Sequence, residues 1–136
     1  AISPMILCQE FLRQTTYDNK LTIINISSGA ANRPIPSWAA YCSSKIAMDR
    51  FSETIYLEEQ ENGRNIKVFA VAPGIIDTPM QEKIRATNKV DFSSFDNFRS
   101  LYENGELTSP NDAVNKLVKL IQKKESNPVI CNLNNL

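Results

Sequence analysis

Leu21-Thr-Ile-Ile-Asn-Ile-Ser-Ser28 is the stretch that decides the fold, because its β-branched residues predict a buried strand. The strand ends in two serines, so hydroxyl groups lie at its carboxyl end. A second run of this kind, Ile66-Lys-Val-Phe-Ala-Val-Ala72, leads into the turn Pro73-Gly-Ile-Ile-Asp-Thr78. In an open α/β sheet, ligands bind beyond the carboxyl ends of the strands. We therefore expect Ser28 and the turn at 73–78 to face one pocket.

Hydrophobic spacing and helix start and stop signals predict the remaining elements. Ser37 is expected to cap a long helix that ends at Asn62-Gly63, and Ser109 to cap a helix that begins at Pro110. Further elements are expected at two places: a helix at about 2–15 and a short strand at 128–132. The alternation of strands and helices predicts three parallel strands with right-handed crossovers. The expected fold class is α/β, with a Rossmann-like doubly wound parallel sheet.

Tyr41 and Lys45 lie four residues apart on the long helix, predicted at about 38–61, and therefore share one of its faces. A fixed ammonium beside a phenol favours the phenolate, so this pair can act as a general acid-base. The same spacing also occurs by chance on exposed helices, as an amphipathic pair without chemistry. Cys42 is expected to face another side of the helix and to serve in packing.

The segment from about 79 to 108 is longer than an ordinary connection in a compact domain. Phe92, Phe95, Phe98 and Tyr102 recur in it at helical spacing. This pattern predicts a small helix that packs an aromatic face on the core.

The composition narrows the class of protein. Hydrophobic residues make up 42% of the chain and the formal net charge is zero, which gives no electrostatic argument for nucleic acid or an anionic membrane. No apolar run approaches the ~20 residues of a membrane span, and no cationic signal pattern opens the sequence. The three cysteines are widely spaced and histidine is absent. We therefore expect no metal site and no disulfide framework, and a cytoplasmic location.

Ser28, Tyr41, Lys45 and the Pro-Gly-x-x-x-Thr turn at 73–78 resemble, in order and spacing, the classical short-chain dehydrogenases/reductases. Three runs are most similar to the sepiapterin reductase and benzil reductase branch, namely Ile24–Ser28, Trp38–Cys42 and Pro73–Gln81. The resemblance implies an NAD(P)H-dependent reductase of ketones or diketones. NADP is the expected cofactor, with NAD as the alternative.

The resemblance also implies roles for single residues. Ser28 would bind the substrate oxygen, Tyr41 would donate a proton to it, and Lys45 would activate the tyrosine and bind the nicotinamide ribose. The implied cofactor-binding residues are Ile26, Tyr41, Lys45, Pro73, Gly74, Ile76 and Thr78. The implied substrate-binding residues are Ser28, Ala30, Met80 and Asn132. For Thr78, a helix cap before Pro79 is an equally good interpretation.

Two larger features follow from the same resemblance. The segment at 79–108 would be a lid over nicotinamide and substrate. The helices at 2–15 and 38–61 would form the interface of a homodimer or homotetramer, and apolar residues on several faces of the second helix agree with this.

The resemblance does not extend over a whole enzyme. The family's Gly-x-x-x-Gly-x-Gly turn, which holds the cofactor pyrophosphate, cannot be formed by glycines at 29, 63, 74 and 105. The strand at 21–27 is also too apolar for a sheet edge. We therefore interpret residues 1–136 as the carboxyl-terminal half of one NAD(P)-binding Rossmann-like domain, inactive alone.

Asn132 is a departure from the family pattern, because sepiapterin reductases place an aspartate there to bind the pterin. A pterin such as sepiapterin thus becomes the alternative substrate, beside a hydrophobic ketone or diketone. Two other classes of function stay open. One is a cofactor-free, non-catalytic dimerisation partner, and the other is a structural binding domain in which Tyr41 and Lys45 have no chemical role.

Overall fold

A computed structural model describes residues 1–16, 18–125 and 128–136. The helices are α1 (Ile2–Arg13), α2 (Ala39–Glu61), α3 (Pro79–Arg85), α4 (Phe95–Glu103) and α5 (Pro110–Ile121). The strands are β1 (Leu21–Ile26), β2 (Ile66–Ala72) and β3 (Ile130–Asn132). Single turns of 3₁₀ helix follow β1 at Gly29–Ala31 and β3 at Leu133–Asn135.

The three strands form one parallel sheet in the order β1, β2, β3. β1 pairs with β2 along its whole length, with Ile26 opposite Val71. β3 pairs with the end of β2, with Ala72 opposite Asn132. The predicted parallel order is confirmed, and all three strands end at the same edge of the sheet.

Helices cover both faces of the sheet, because alternate residues of β2 point to opposite sides. On one side, Val68 packs with Cys8 of α1 and Ile55 of α2. On the other side, Phe69 packs with Leu120 of α5. All these side chains are buried. The expected α/β class with a doubly wound sheet is thereby confirmed.

The outer edge of β1 has no partner strand among the described residues. A cavity of about 540 Å³ lies beside this edge, between β1, α1 and α2. Ile26 is 49% exposed there, and Leu7 of α1 is 69% exposed. An apolar edge of this kind favours pairing with a further strand.

Helix ends agree with their sequence signals at two places and differ at one. Ser109 caps α5 by accepting a hydrogen bond from the Asp112 backbone N–H at 3.1 Å, and Gly63, with φ of 72°, follows the end of α2. The prediction that Ser37 caps α2 is wrong. Its φ is 69°, and its hydroxyl donates to the Asp91 carbonyl oxygen at 3.1 Å instead. Ser37 thus joins the start of α2 to the segment before α4.

The segment at 79–108 folds into α3 and α4 and returns to its starting point. The Asp77 N–H donates to the Thr108 carbonyl, and the Thr108 N–H donates to the Ile75 carbonyl, both at 2.9 Å. The predicted aromatic packing is confirmed for Phe92 and Phe98, which are buried. Phe92 nevertheless precedes α4. Tyr102 lies outside the packed face, at 52% exposure, and its ring contacts the Arg85 guanidinium at 3.9 Å.

Candidate active site

The carboxyl ends of the strands open onto a cavity of about 370 Å³. Ser28 follows β1, the turn at 73–78 follows β2, and Asn132 ends β3. Tyr41 and Lys45 reach the cavity from the first turns of α2. Every site residue expected from the sequence lines this cavity: Ile26, Ser28, Ala30, Tyr41, Lys45, Pro73, Gly74, Ile76, Thr78, Met80 and Asn132.

Ser28 presents a hydroxyl donor to the cavity. Its oxygen accepts a hydrogen bond from the Ala30 backbone N–H at 3.2 Å, which opens the 3₁₀ turn at Gly29–Ala31. Because this bond uses the oxygen as an acceptor, the hydroxyl hydrogen remains to be donated. Ser28 is half-buried, whereas the neighbouring Ser27 is 3% exposed. Ser28 is therefore suited to bind a carbonyl oxygen.

Lys45 is fixed by the strand beside it. Its Nζ donates to the Ile26 carbonyl oxygen at 2.8 Å and lies 5.6 Å from the centroid of the Tyr41 ring. An ammonium group carries three donors, so others remain for a ligand or for the phenolic oxygen. The predicted sharing of one helix face by Tyr41 and Lys45 is confirmed.

Trp38 links the tyrosine to the segment at 79–108. Its ring meets the Tyr41 ring edge to face, with centroids 5.3 Å apart and planes at 75°. It also stacks on Phe92 at 5.3 Å with nearly parallel planes, and lies 5.3 Å from Phe98. Trp38 stands three residues before Tyr41, so its one-turn spacing is a sequence signal for this position. The Tyr41 ring is thus packed on one side by Trp38, which is itself held by two phenylalanines.

The turn after β2 brings its backbone close to the end of the chain. Gly74 has φ of 85°, and a Cβ atom added there would lie 2.8 Å from Asn134 Oδ1. The positive φ favours glycine, and a larger residue would also displace the Asn134 side chain. Thr78 occupies the N-cap position of α3, but its side chain makes no capping hydrogen bond. Thr78 is thus the cap residue by position, as one interpretation expected, but it lacks the capping bond, and it also lines the cavity.

Asn132 also lines the cavity, but one part of its side chain has a structural role. Its Oδ1 accepts a hydrogen bond from the Asn134 backbone N–H at 2.9 Å and caps the last 3₁₀ turn. The amide nitrogen is the part that remains for a ligand. The cavity is also lined by residues outside the expected cofactor-binding and substrate-binding sets: Ser27, Gly29, Arg33, Ile35, Trp38, Ala72, Ile75, Gln81, Phe98 and Asn134.

Asp49 is a buried carboxylate one helical turn beyond Lys45, at 5% exposure. Burial raises the pKa of the Asp49 carboxyl above its usual range, and the Glu53 carboxylate acts in the same direction. The Ser27 hydroxyl and the Lys45 ammonium lower that pKa. Burial dominates, so the folded protein holds the Asp49 proton more tightly than the unfolded chain does.

We expect Asp49→Asn to raise the melting temperature at pH 7. Since the folded state binds the Asp49 proton more tightly, the aspartate lowers stability as the pH rises from ~4 towards its raised pKa. The gain should therefore shrink as the pH falls towards ~4. Thermal unfolding of both proteins at several pH values measures it. A melting temperature that falls on substitution at pH 7 would contradict the expected sign.

The described residues contain no cluster of histidine, cysteine or acidic side chains that could hold a metal ion. Among the helices of residues 1–16, 18–125 and 128–136, none combines the length and the apolar character needed to cross a membrane.

Comparison with known proteins agrees with this geometry. A family model described as short chain dehydrogenase matches residues 1–89. Benzil reductase ((S)-benzoin forming) of Bacillus subtilis is 38% identical over 126 residues, which is 92% of this chain and 52% of the relative. Sepiapterin reductase of Meriones unguiculatus is 34% identical over 102 residues, 75% of this chain and 37% of the relative. The chain thus spans about half, or less, of the length of these relatives.

Solved structures extend the likeness to three dimensions. The short-chain dehydrogenase/reductase YIR035C of Saccharomyces cerevisiae superposes with a TM-score of 0.71 at 33% identity, over 83% of this chain and 46% of that one. A 4-hydroxyisoleucine dehydrogenase complexed with NADH has the same fold, with a TM-score of 0.63 at 24% identity, over 96% of this chain and 52% of that one. By its family model, its sheet and its tyrosine–lysine pair, the chain belongs to the short-chain dehydrogenase family.

Proposed function

We propose that this chain forms the catalytic and substrate side of an NAD(P)H-dependent carbonyl reductase that acts on ketones or 1,2-diketones. The observation that carries the proposal is the meeting of Ser28, Tyr41 and the anchored Lys45 in one cavity at the carboxyl ends of the strands. The similarity to a benzil reductase along 92% of the chain supports the diketone class.

In the proposed mechanism, two hydroxyl groups bind the substrate oxygen. Ser28 donates its free hydroxyl hydrogen, and Tyr41 gives its proton to the oxygen as negative charge develops there. Lys45, held by the Ile26 carbonyl, stabilises the phenolate that remains. The aromatic packing of Trp38 on Tyr41 keeps the phenol in one orientation. A nicotinamide cofactor bound beside these groups supplies the hydride.

The residues present fit the nicotinamide end of such a cofactor. The turn at 73–78 lines the cavity with Gly74, which has no side chain, and with Thr78, whose hydroxyl makes no capping hydrogen bond. Further ammonium hydrogens of Lys45 can bind the ribose hydroxyls. The sequence has no glycine-rich phosphate turn, and we propose that another part of a longer protein provides it. NADP is our proposed cofactor and NAD the alternative.

The proposal also includes an oligomeric state and a cellular compartment. Apolar side chains of α1 and α2 are exposed, which supports a homodimer or homotetramer formed through these helices. They are Ile2, Ile6, Ile46 and Leu57. The three cysteines are free thiols, which supports a reducing compartment, the cytoplasm.

The test uses a full-length form, in which these 136 residues follow an amino-terminal half from their own upstream coding sequence or from the Bacillus subtilis relative. NADPH and NADH oxidation is followed with benzil, a monoketone and sepiapterin. We expect turnover of benzil, faster with NADPH than with NADH. A folded full-length form that reduces none of these carbonyls would contradict the proposal.

The alternative substrate, a pterin, gives a separate prediction. Asn132→Asp should raise kcat/KM for sepiapterin relative to benzil by about tenfold, because a charge-assisted hydrogen bond is stronger than a neutral one by ~1.4 kcal/mol. Aspartate also caps a helical turn, so the bond to the Asn134 N–H is kept. Both substrates are measured at one pH. An unchanged ratio would mean that Asn132 does not contact the substrate.

A further inference from the structure

Arg33 lies between two neighbouring cavities. It lines the cavity that holds Ser28 and Tyr41, and it also lines a cavity of about 380 Å³ between the segments at 34–36 and 93–98. The 3₁₀ turn at Gly29–Ala31 connects it to Ser28. Arg33 therefore follows the serine proposed to bind the substrate oxygen, and not the turn at 73–78 proposed to bind nicotinamide.

The guanidinium group of Arg33 forms no hydrogen bond or ion pair within residues 1–16, 18–125 and 128–136. The other arginines pair with a glutamate or contact an aromatic ring. They are Arg13, Arg50, Arg64, Arg85 and Arg99. A guanidinium stays charged and carries five donor hydrogens. Arg33 thus brings a full set of donors to the cavity.

The charge that lines these cavities has one sign. In the part of the chain that the structure describes, neither cavity is lined by an acidic residue. Lys45 is the other cation of the first cavity, but it is bound to the Ile26 carbonyl and interacts with the Asp49 carboxyl group. Arg33 has no such counter-charge. Because the apolar walls of a cleft strengthen the field of a cation, the cavity attracts an anionic ligand.

We propose that Arg33 is a specificity-determining residue that binds a carboxylate of the substrate, so that the preferred substrate is a ketone or diketone with an acidic group. This inference rests on the proposed function and extends it from the reacting carbonyl to the rest of the substrate. The planar guanidinium matches the two oxygens of a carboxylate. Since Arg33 is exposed and Ser28 is half-buried, the carboxylate lies at the mouth of the cavity, away from the reacting carbonyl.

Benzil with a para-carboxylate on one ring and the methyl ester of this acid form a matched pair, because they share the diketone and differ in charge. In the full-length form, Arg33→Gln should lower kcat/KM for the acid by about three- to tenfold, between the effects of an exposed ion pair and a buried charge-assisted hydrogen bond. The value for the ester should stay within about twofold of the unsubstituted protein. Lys119→Gln removes the same charge from an exposed position of α5 and should change neither value.

Ionic strength gives a second readout, which a purely structural role of Arg33 would not move. At saturating NADPH, raising the salt from about 0.05 M to about 0.5 M should lower kcat/KM for the acid in the unsubstituted protein, because salt screens an exposed charge. The ester should respond little, and Arg33→Gln should lose most of the salt effect on the acid. Its melting temperature should be unchanged, since the side chain is exposed and forms no bond within the described residues.

Three outcomes would overturn the inference. They are an equal change for acid and ester, the same salt dependence in both proteins, and a raised KM for NADPH with unchanged selectivity, which would place Arg33 against the cofactor. If the unsubstituted full-length form shows no turnover, the proposed function fails and the binding step is still measured. Quenching of tryptophan fluorescence, to which Trp38 in the cavity contributes, then compares the affinities for the acid and the ester. Weaker binding of the acid alone by Arg33→Gln supports the inference, and equal preference in the two proteins, or no binding of the acid, would overturn it.

Discussion

Replacing Tyr41 with phenylalanine in the full-length form is expected to lower kcat for benzil by about 10²–10⁴-fold, the usual contribution of a general acid. The substitution removes the proton donor and leaves the ring in place against Trp38, with centroids that lie 5.3 Å apart in the present chain. The cofactor affinity should change little, because the lysine anchored on Ile26 is untouched. The loss should therefore appear in kcat, with a nearly constant dissociation constant for NADPH.

Steady-state kinetics and a titration of NADPH fluorescence measure these two quantities. Tyr56→Phe is the matched control, because Tyr56 is a half-buried tyrosine of the same helix that packs on the core, away from the cavity. It should keep kcat within about twofold of the unsubstituted protein. Retention of most activity by Tyr41→Phe would show that another group supplies the proton.

Lys45→Met should damage both turnover and cofactor binding. Lys45 Nζ lies 5.6 Å from the Tyr41 ring centroid, and its ammonium has donors to spare after its bond to the Ile26 carbonyl. Loss of one charge-assisted hydrogen bond corresponds to about 10–150-fold in kcat/KM, and the affinity for NADPH should fall as well. Methionine keeps the apolar stem of the side chain, so the helix should remain packed.

The same kinetic and titration measurements apply, with Lys119→Met as the control at an exposed position of α5. That control should behave like the unsubstituted protein. If Lys45→Met lowered kcat alone and left the NADPH affinity intact, the lysine would act only on Tyr41, and its proposed contact with the ribose would be wrong.

Much of the fold was predictable because its signals are local and strong. The run at 66–72 is a strand with the predicted limits, and the serine, proline and acid at 109–112 start a helix as expected. The meeting of Ser28, Tyr41 and Lys45 followed from two rules, the edge at which parallel strands end and the spacing of helix faces. These rules depend on the backbone alone, so the sequence was sufficient.

The differences arise where tertiary contacts override local preference. Ser37 has the identity of a cap, yet its hydroxyl bonds to Asp91, which lies far along the chain. Gln81 and Thr78 have the capping-box pattern and do not form it. Asp49 is buried by packing that no local pattern marks. For Ser37 the deciding contact joins distant segments, and only the folded structure contains it.

The central claim, that this chain is the catalytic half of a two-part reductase domain, is tested most directly by comparing benzil reduction by three samples. They are the isolated chain of 136 residues, the full-length form, and the full-length form with Tyr41→Phe. Only the unsubstituted full-length form should convert benzil to benzoin with oxidation of one NADPH per product. The isolated chain should give none, because it lacks a phosphate turn and the edge of β1 has no partner strand among the described residues. Robust turnover by the isolated chain, or full activity without the Tyr41 hydroxyl, would contradict the claim.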